Sequence, residues 1–280
     1  MPLPDFLIIG AMKCGTSTLA AQLGAQDGMF MTTPKEPNFF SNDDIHARGA
    51  GWYRALFESA RPGDIKGEAS THYTKLPTYP HTIARMQDML DAPKLVYMIR
   101  NPVDRAVSHY IHEWSEARMG NDPVAAFEGA GELVDYGRYA MQIAPFLDAF
   151  GKRSVLLTSL EQLKADPGGE LARIGAFLGH AGTTWQDDLG AQNVSARRMR
   201  RLPMQGLLID NPVATALRRA LVPKALRSRI RQARTIGERP TLPADLRARL
   251  EATFAKDRAQ LARLFPDHPA LVACYPFLAS

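Results

Sequence analysis

Residues 6–19, Phe-Leu-Ile-Ile-Gly-Ala-Met-Lys-Cys-Gly-Thr-Ser-Thr-Leu, decide the fold: a short apolar run passes into a loop bounded by glycines and then into a helix. The run Phe6–Ile9 has the length and β-rich composition of a parallel strand buried on both faces. Gly10 and Gly15 permit backbone angles closed to other residues, so successive N–H groups can converge on an anion. Thr16, Ser17 and Thr18 add hydroxyl donors where a helix begins, and the N–H groups and dipole of that helix end favour phosphate. One cation, Lys13, lies inside the loop. In a Walker A loop, G-x-x-x-x-G-K-[ST], the lysine follows the second glycine and the hydroxyl after it holds magnesium. Here Thr16 takes the lysine's place and Lys13 precedes Gly15. An ordinary nucleoside triphosphatase is therefore disfavoured. A kinase with an atypical phosphate loop stays open, as does a plain strand-to-helix turn whose lysine points to water.

Outward from this stretch, Met29–Thr32 reads as a short strand, and Pro34 and Pro37 make the segment after it irregular. Gly51–Ala60 has a helical pattern with Trp52, Leu56 and Tyr53 facing inward. A strand followed by a loop starts at Ile65, a helix covers 81–90, and Lys94–Ile99 is a second buried strand. Asn101-Pro102 then marks a helix start. Asp104 falls in its first turn, Ser108 one turn further on, and Arg100 at the strand's end, so Arg100 and Ser108 can meet a second anion. Ligands of open α/β sheets bind beyond the carboxyl ends of the strands, where both segments lie. Val155–Thr158 is a third strand, with a helix after it through Phe177 and a stop at Gly179. Pro243–Leu264 carries Leu246, Leu250, Phe254, Leu261 and Leu264 at helical spacing, a core-packing pattern. This order of elements implies an α/β fold with a central, mostly parallel sheet flanked by helices.

The 280 residues suit one domain, 1–280, with a helical, Arg-rich C-terminal portion from about 197. Residues 197–239 hold twelve Arg and Lys against two acidic residues, a net +10, while the whole chain carries only +5. Such a block is a solvated helix face, a membrane-surface patch or part of an anion site. It contains no Phe, Tyr or Trp to stack bases, which argues against nucleic acid. The two cysteines, Cys14 and Cys274, give neither a disulfide framework nor a zinc spacing. Cys14 is either a thiol activated by a helix N-terminus and the neighbouring Lys13 or simply a small residue that fits the loop. No signal-peptide pattern and no span of the roughly 18–20 apolar residues a membrane helix needs is present, and a cytoplasmic, reducing location is expected.

Four segments in order, Gly10-Ala-Met-Lys-Cys-Gly-Thr-Ser-Thr-Leu, Lys35-Glu-Pro-Asn-Phe-Phe, Gly67-Glu-Ala-Ser-Thr-His-Tyr and Arg100-Asn-Pro-Val-Asp-Arg-Ala-Val-Ser-His-Tyr, resemble the successive motifs of PAPS-dependent sulfotransferases. The similarity is closest to the bacterial and heparan-sulfate-type branch and spans roughly residues 6–180, with a looser echo at Asn193-Val-Ser-Ala-Arg-Arg. The resemblance implies a P-loop-like three-layer α/β fold. It also implies that Lys13, Cys14, Gly15, Thr16, Ser17 and Thr18 hold the 5′-phosphosulfate end of 3′-phosphoadenosine 5′-phosphosulfate (PAPS). Arg100 and Ser108 would hold its 3′-phosphate, and Arg197 and Arg198 would close over the adenosine side. Arginine suits a phosphate because its planar fork donates two hydrogen bonds.

In such an enzyme Lys13 would stabilise charge on the departing bisphosphate, PAP, and no metal would be needed. Glu36 matches the general base of the heparan-sulfate branch, opposed by its neighbour Lys35, which it would otherwise simply pair with. His72 is the rival base, since other branches use histidine, while His109 reads as a helix residue behind Ser108. Asn38 and Ala69 depart from the histidine and lysine of glycan-modifying relatives, which weakens transfer of their acceptor. The implied acceptor is a hydroxyl, less often an amine, of a small molecule, lipid or carbohydrate, with a membrane surface as a further partner. The alternatives from other classes are the atypical kinase and a non-catalytic nucleotide-binding module.

Overall fold

In the computed structural model, which describes residues 2–189 and 239–278, five parallel strands form one sheet. They are β1 Phe6–Gly10, β2 Met29–Met31, β3 Ile65–Ala69, β4 Lys94–Ile99 and β5 Val155–Ser159, in the spatial order β2-β3-β1-β4-β5. β1 is central: Phe6 stands against Gly67 of β3 and Lys94 of β4, and Ile8 against Ala69 and Val96. All of β1 and all but the first residue of β4 are buried, as their continuous apolar runs require. Gly67 is dictated by this packing, since a Cβ there would lie 2.1 Å from the Phe6 ring.

The sheet is flanked by helices α1 Thr16–Gly24, α2 Asp43–His46, α3 Gly49–Ala55, α4 Thr82–Gln87, α5 Pro102–Ser115, α6 Pro123–Gly129, α7 Glu132–Asp135, α8 Tyr139–Phe150, α9 Leu160–Ala165, α10 Pro167–Leu178, α11 Ala244–Leu264 and α12 Ala270–Ala273. Asn101 starts α5 as expected: its Oδ1 accepts the N–H groups of Val103 (3.0 Å) and Asp104 (3.2 Å), and Pro102 occupies the first turn. The helix expected over 51–60 runs instead from Gly49 to Ala55. Of the three residues expected to face inward, Tyr53 is fully buried, while Trp52, and Leu56 just past the helix end, are half-buried. Tyr53 wins the interior position because its hydroxyl has a buried partner, described below. The helix expected through Phe177 is two helices, broken where Pro167 follows Asp166 and the Asp166 side chain caps α10 at Gly169.

α11 buries Leu246, Leu250, Phe254 and Leu261, but Leu264 is half-buried and Phe265 completes the row. The same helix carries Asp257, buried, whose carboxylate accepts the N–H groups of Ala140 (2.9 Å) and Met141 (3.2 Å). It thereby satisfies two donors at the start of α8 that no helical carbonyl reaches. This ties the C-terminal helix to Tyr139, which lies directly beneath the candidate site.

Candidate active site

The loop from Gly10 to Gly15 hangs over the carboxyl edge of the sheet between β1 and α1. Gly10 is needed for close approach: a Cβ there would lie 1.9 Å from Thr74 Oγ1, which itself donates to the Ile9 carbonyl at 2.9 Å. Gly15, immediately before α1, has φ +93°. Lys13 also sits in the left-handed region, at φ 68°, a conformation that costs a non-glycine residue of order 1–3 kcal/mol and is held by its surroundings. Those surroundings are Ala11 N–H on the Met98 carbonyl (2.7 Å), Cys14 N–H on the Ala11 carbonyl (3.2 Å) and Arg100 Nη1 on the Lys13 carbonyl (3.2 Å). Thr16, Ser17 and Thr18 open α1, where the Gly15 carbonyl accepts the N–H groups of Thr18 (3.0 Å) and Leu19 (3.2 Å).

Cys14 takes part only through its backbone. Its side chain is buried, with Sγ 3.5 Å from the Tyr139 hydroxyl and 3.7 Å from the Met12 carbonyl it donates to. Burial pushes the thiol up to about 11 against the smaller pull of Tyr139 and Arg100, so the activated-thiol alternative is overturned. Cys14 occupies the loop as a small residue that fills the core.

Arg100 follows β4 directly and is fastened at both ends. Its N–H donates to the Tyr139 hydroxyl (3.3 Å), which in turn donates to the Arg100 carbonyl (2.9 Å). At the other end the guanidinium holds the Lys13 carbonyl, stands 3.7 Å from Asp104 and keeps a buried Nε with no partner among the described residues. On the far side of Asp104, Arg239 donates from Nη2 to Oδ1 (2.8 Å) and to the backbone carbonyl (2.9 Å). Two guanidiniums thus share one carboxylate beside the phosphate loop. Ser108 is buried one turn further along α5. Arg197 and Arg198, expected over this end, lie outside the described residues; Arg239 is the arginine placed here.

A second cluster gathers around Glu36. Glu36 has φ 62° and Asn38 φ 54°, with Pro37 between them. The Glu36 N–H donates to the Ala69 carbonyl (3.0 Å), and Oε1 accepts from Lys35 Nζ (2.8 Å) and Thr71 Oγ1 (3.2 Å). Burial works to raise this carboxyl, but the charge and hydrogen bond of Lys35, with His72 and Lys75 behind them, hold it below the usual range. Glu36 does pair with Lys35, and in the structure it is an ionised carboxylate. His72, next to Thr71, stacks on Tyr79 with ring centres 4.9 Å apart, and its Nδ1 is buried without a partner among the described residues. Burial, then Lys75, pushes His72 down to about 4, so at neutral pH its ring is uncharged. Both rival bases therefore belong to one cluster, on the short helix Thr71–Thr74 and the loop it braces. His109 takes no part in this cluster. It is a buried residue of α5, stacked on Tyr136 and 3.5 Å from Glu113.

Three further residues were not singled out from the sequence. Lys75 is 8% exposed, forms no ion pair among the described residues, and lies over the Tyr136 ring at 5.7 Å; burial pushes its ammonium down to about 8 while Glu36 and Glu113 pull it up. Glu68 is fully buried, and burial pushes its carboxyl up to about 7 against hydrogen bonds from Tyr73, Tyr53 and Ser70. Arg239 belongs to the donor end. Arg239 alone had a signal, as the last cation of the basic block; Lys75 and Glu68 owe their character to burial. Among the described residues no group of three His, Cys, Asp or Glu side chains is placed to hold a metal ion, and no helix is long and apolar enough to cross a membrane.

Comparison with known proteins agrees with this geometry. Residues 3–250 match the profile of the sulfotransferase domain. Heparan sulfate glucosamine 3-O-sulfotransferase 3B1 of Mus musculus is 31% identical over 186 residues, covering 63% of this chain and 46% of that protein. Heparan sulfate glucosamine 3-O-sulfotransferase 6 of Homo sapiens is 33% identical over 187 residues, covering 63% and 52%. The chain thus spans about half the length of the curated relatives it matches. The crystal structure of a sulfotransferase from Alicyclobacillus acidocaldarius superposes with a TM-score of 0.67 at 26% identity, over 97% of this chain and 99% of that one.

Proposed function

We propose that this chain, which belongs to the sulfotransferase domain family, transfers a sulfuryl group from PAPS to an acceptor hydroxyl. The observation that carries the proposal is Arg100: it bridges the phosphate loop to α5, keeps a buried Nε without a partner, and shares Asp104 with Arg239. An unsatisfied buried donor is costly unless a ligand completes it. Two guanidiniums on one carboxylate leave positive charge for that ligand to meet. These residues fit a donor with phosphates on both sides of a ribose. Thr16, Ser17, Thr18 and the α1 N–H groups would take its 5′ end, and Arg100, Ser108 and Arg239 its 3′-phosphate.

PAPS supplies a sulfuryl group already activated by a phosphate leaving group. Lys13, held by its carbonyl on Arg100, has the task of placing an ammonium where negative charge grows on the departing PAP. Such preorganised charge stabilisation is worth about 10²–10³ in rate. Glu36 is the base: already ionised, and oriented by Lys35 and Thr71 through Oε1, it accepts the acceptor's proton. Metal independence belongs to the proposal. The free thiols of Cys14 and Cys274 suit the reducing, cytoplasmic setting proposed with it.

The heparan sulfate relatives make a glucosamine-containing oligosaccharide the first acceptor to try, with phenols and hydroxylated lipids beside it. The test is incubation with PAPS and each acceptor, followed by mass spectrometry for the gain of one sulfate and by PAP quantitation. PAP release together with a sulfated product is expected. ATP turnover with no use of PAPS would replace this function with that of an atypical kinase.

A further inference from the structure

We propose, building on the assignment of Glu36 as the base, that Glu68 is a positioning residue: a buried carboxylate that clamps the Asn38–Phe40 end of the Lys35–Phe40 segment and so aims Glu36. Glu68 sits one residue before the end of β3 and is fully buried. Its Oε1 accepts from the hydroxyls of Tyr53 (3.0 Å) and Tyr73 (2.6 Å), and its Oε2 from Ser70 Oγ (3.2 Å). Ser70, having donated to Glu68, accepts the N–H of Asn38 at 3.0 Å. That fixes the residue two places after Glu36. The same tyrosines hold the rest of the segment: Tyr53 stacks on Phe39 at 4.5 Å and meets Phe40 edge-on at 5.1 Å, while Tyr73 packs on Phe40 at 5.7 Å.

Beside these anchors Glu36 and Asn38 both stay in the left-handed region, Asn38 with its N–H on Ser70 and Glu36 with its N–H on the Ala69 carbonyl. A free chain would leave such angles, so something must over-determine them. The clamp meets that need from one point. Among the described residues Glu68 has no cationic partner, and a buried carboxylate of that kind is costly for stability alone. Its three hydroxyl donors offset the cost only while their rotamers are held, and those rotamers are the ones that grip Asn38, Phe39 and Phe40. Gly67-Glu68 and the Lys35–Phe40 segment are thus two halves of one device.

The test uses Glu68→Gln and Ser70→Ala in the full chain. Ser70→Ala removes the link to Asn38 together with its own bond to Oε2 but leaves Glu68 with both tyrosines, so it stays informative even if Glu68→Gln fails to fold. Turnover is read as PAP release from PAPS with 2-naphthol, an N-sulfated glucosamine oligosaccharide or water alone as acceptor; affinity is read as PAP binding by calorimetry. Misaiming the base predicts a fall of about 10²-fold in kcat for each variant, with PAP affinity unchanged and no further loss when Ser70→Ala is added to Glu36→Gln. Full turnover in Ser70→Ala, or a loss that persists on the Glu36→Gln background, overturns the clamp. A wild-type chain that binds no PAP and releases none contradicts the sulfuryl-transfer assignment instead. In that case the crystal structure of Ser70→Ala judges the clamp on its own: Glu36 and Asn38 should leave the left-handed region, and retention of both angles overturns it.

Discussion

The two halves of the site meet at Gly10 and Thr74 but stand in opposite states. Around Arg100 there are cations in excess of carboxylates and a buried guanidinium nitrogen without a partner among the described residues. Around Glu36 the carboxylate already has Lys35 and Thr71, and its proton affinity is lowered. The first half is built and waiting for an anion. The second is closed on itself, and its carboxylate must be aimed by the fold because its electrostatics make it a weak base. The difference teaches that the donor half depends on charge and the acceptor half on position, so mutations in the two halves should fail in different ways.

The largest expected effect breaks the acceptor half. Glu36→Gln should lower kcat by about 10²–10⁴, the range of a positioned general base, while calorimetry finds PAP binding intact. His72→Asn, assayed beside it, should keep most of the activity; the reverse ranking would transfer the role to His72. Lys13→Ala should follow, with a loss of about 10²–10³ in kcat and a smaller change in PAP affinity. Unchanged turnover would remove Lys13 from the chemistry. Next comes Arg239→Ala, which should weaken PAP binding by about tenfold, the 1.5–3 kcal/mol range of a hydrogen bond to a charged group at its lower end, without lowering kcat at saturation.

Two pH experiments sharpen the contrast with smaller effects. Lys35 is the main force holding Glu36 below its ordinary range. In Lys35→Met the carboxyl should therefore rise, moving the acid limb of the kcat/KM profile to higher pH. An unmoved limb would mean that Glu36 does not govern it. Glu68 gives the opposite sign. Its folded value, about 7, lies above the ordinary 4.5, so between those values the folded chain binds more protons than the unfolded one. Stability should decline as pH rises from about 4.5 through 7 and level off above, and Glu68→Gln should flatten that part of a melting-temperature profile.

Much of the donor half was legible in the sequence. The runs Phe6–Ile9 and Lys94–Ile99 could only be central strands, Asn101-Pro102 marked the start of α5, and Gly15 marked that of α1. Each is a local signal, and local signals placed Lys13, Arg100 and Ser108 on one sheet edge. What resisted reading depended on distant contacts. Tyr53 was expected inward along with Trp52 and Leu56, but that it alone of the three is fully buried depends on Glu68, fifteen residues on, accepting its hydroxyl. Arg239 reaches Asp104 across 135 residues of chain. Lys75 gave no signal in the sequence, since burial alone lowers its proton affinity, and the two readings of Cys14 are separated only by the core that takes its side chain. The break at Pro167 was in plain view, but the apolar spacing on either side concealed it.

The most direct test of the central claim is the melting temperature of the chain with PAP in the absence of metal, measured in wild type and in Arg100→Ala. At a hundredfold excess over Kd, binding is worth about 2.7 kcal/mol, which for a chain of this size raises the melting temperature by about 5–10 °C. Wild type should show that rise and Arg100→Ala should lose most of it. Absence of any shift in wild type, or a shift given only by ATP with magnesium, would contradict a site built for the sulfuryl donor.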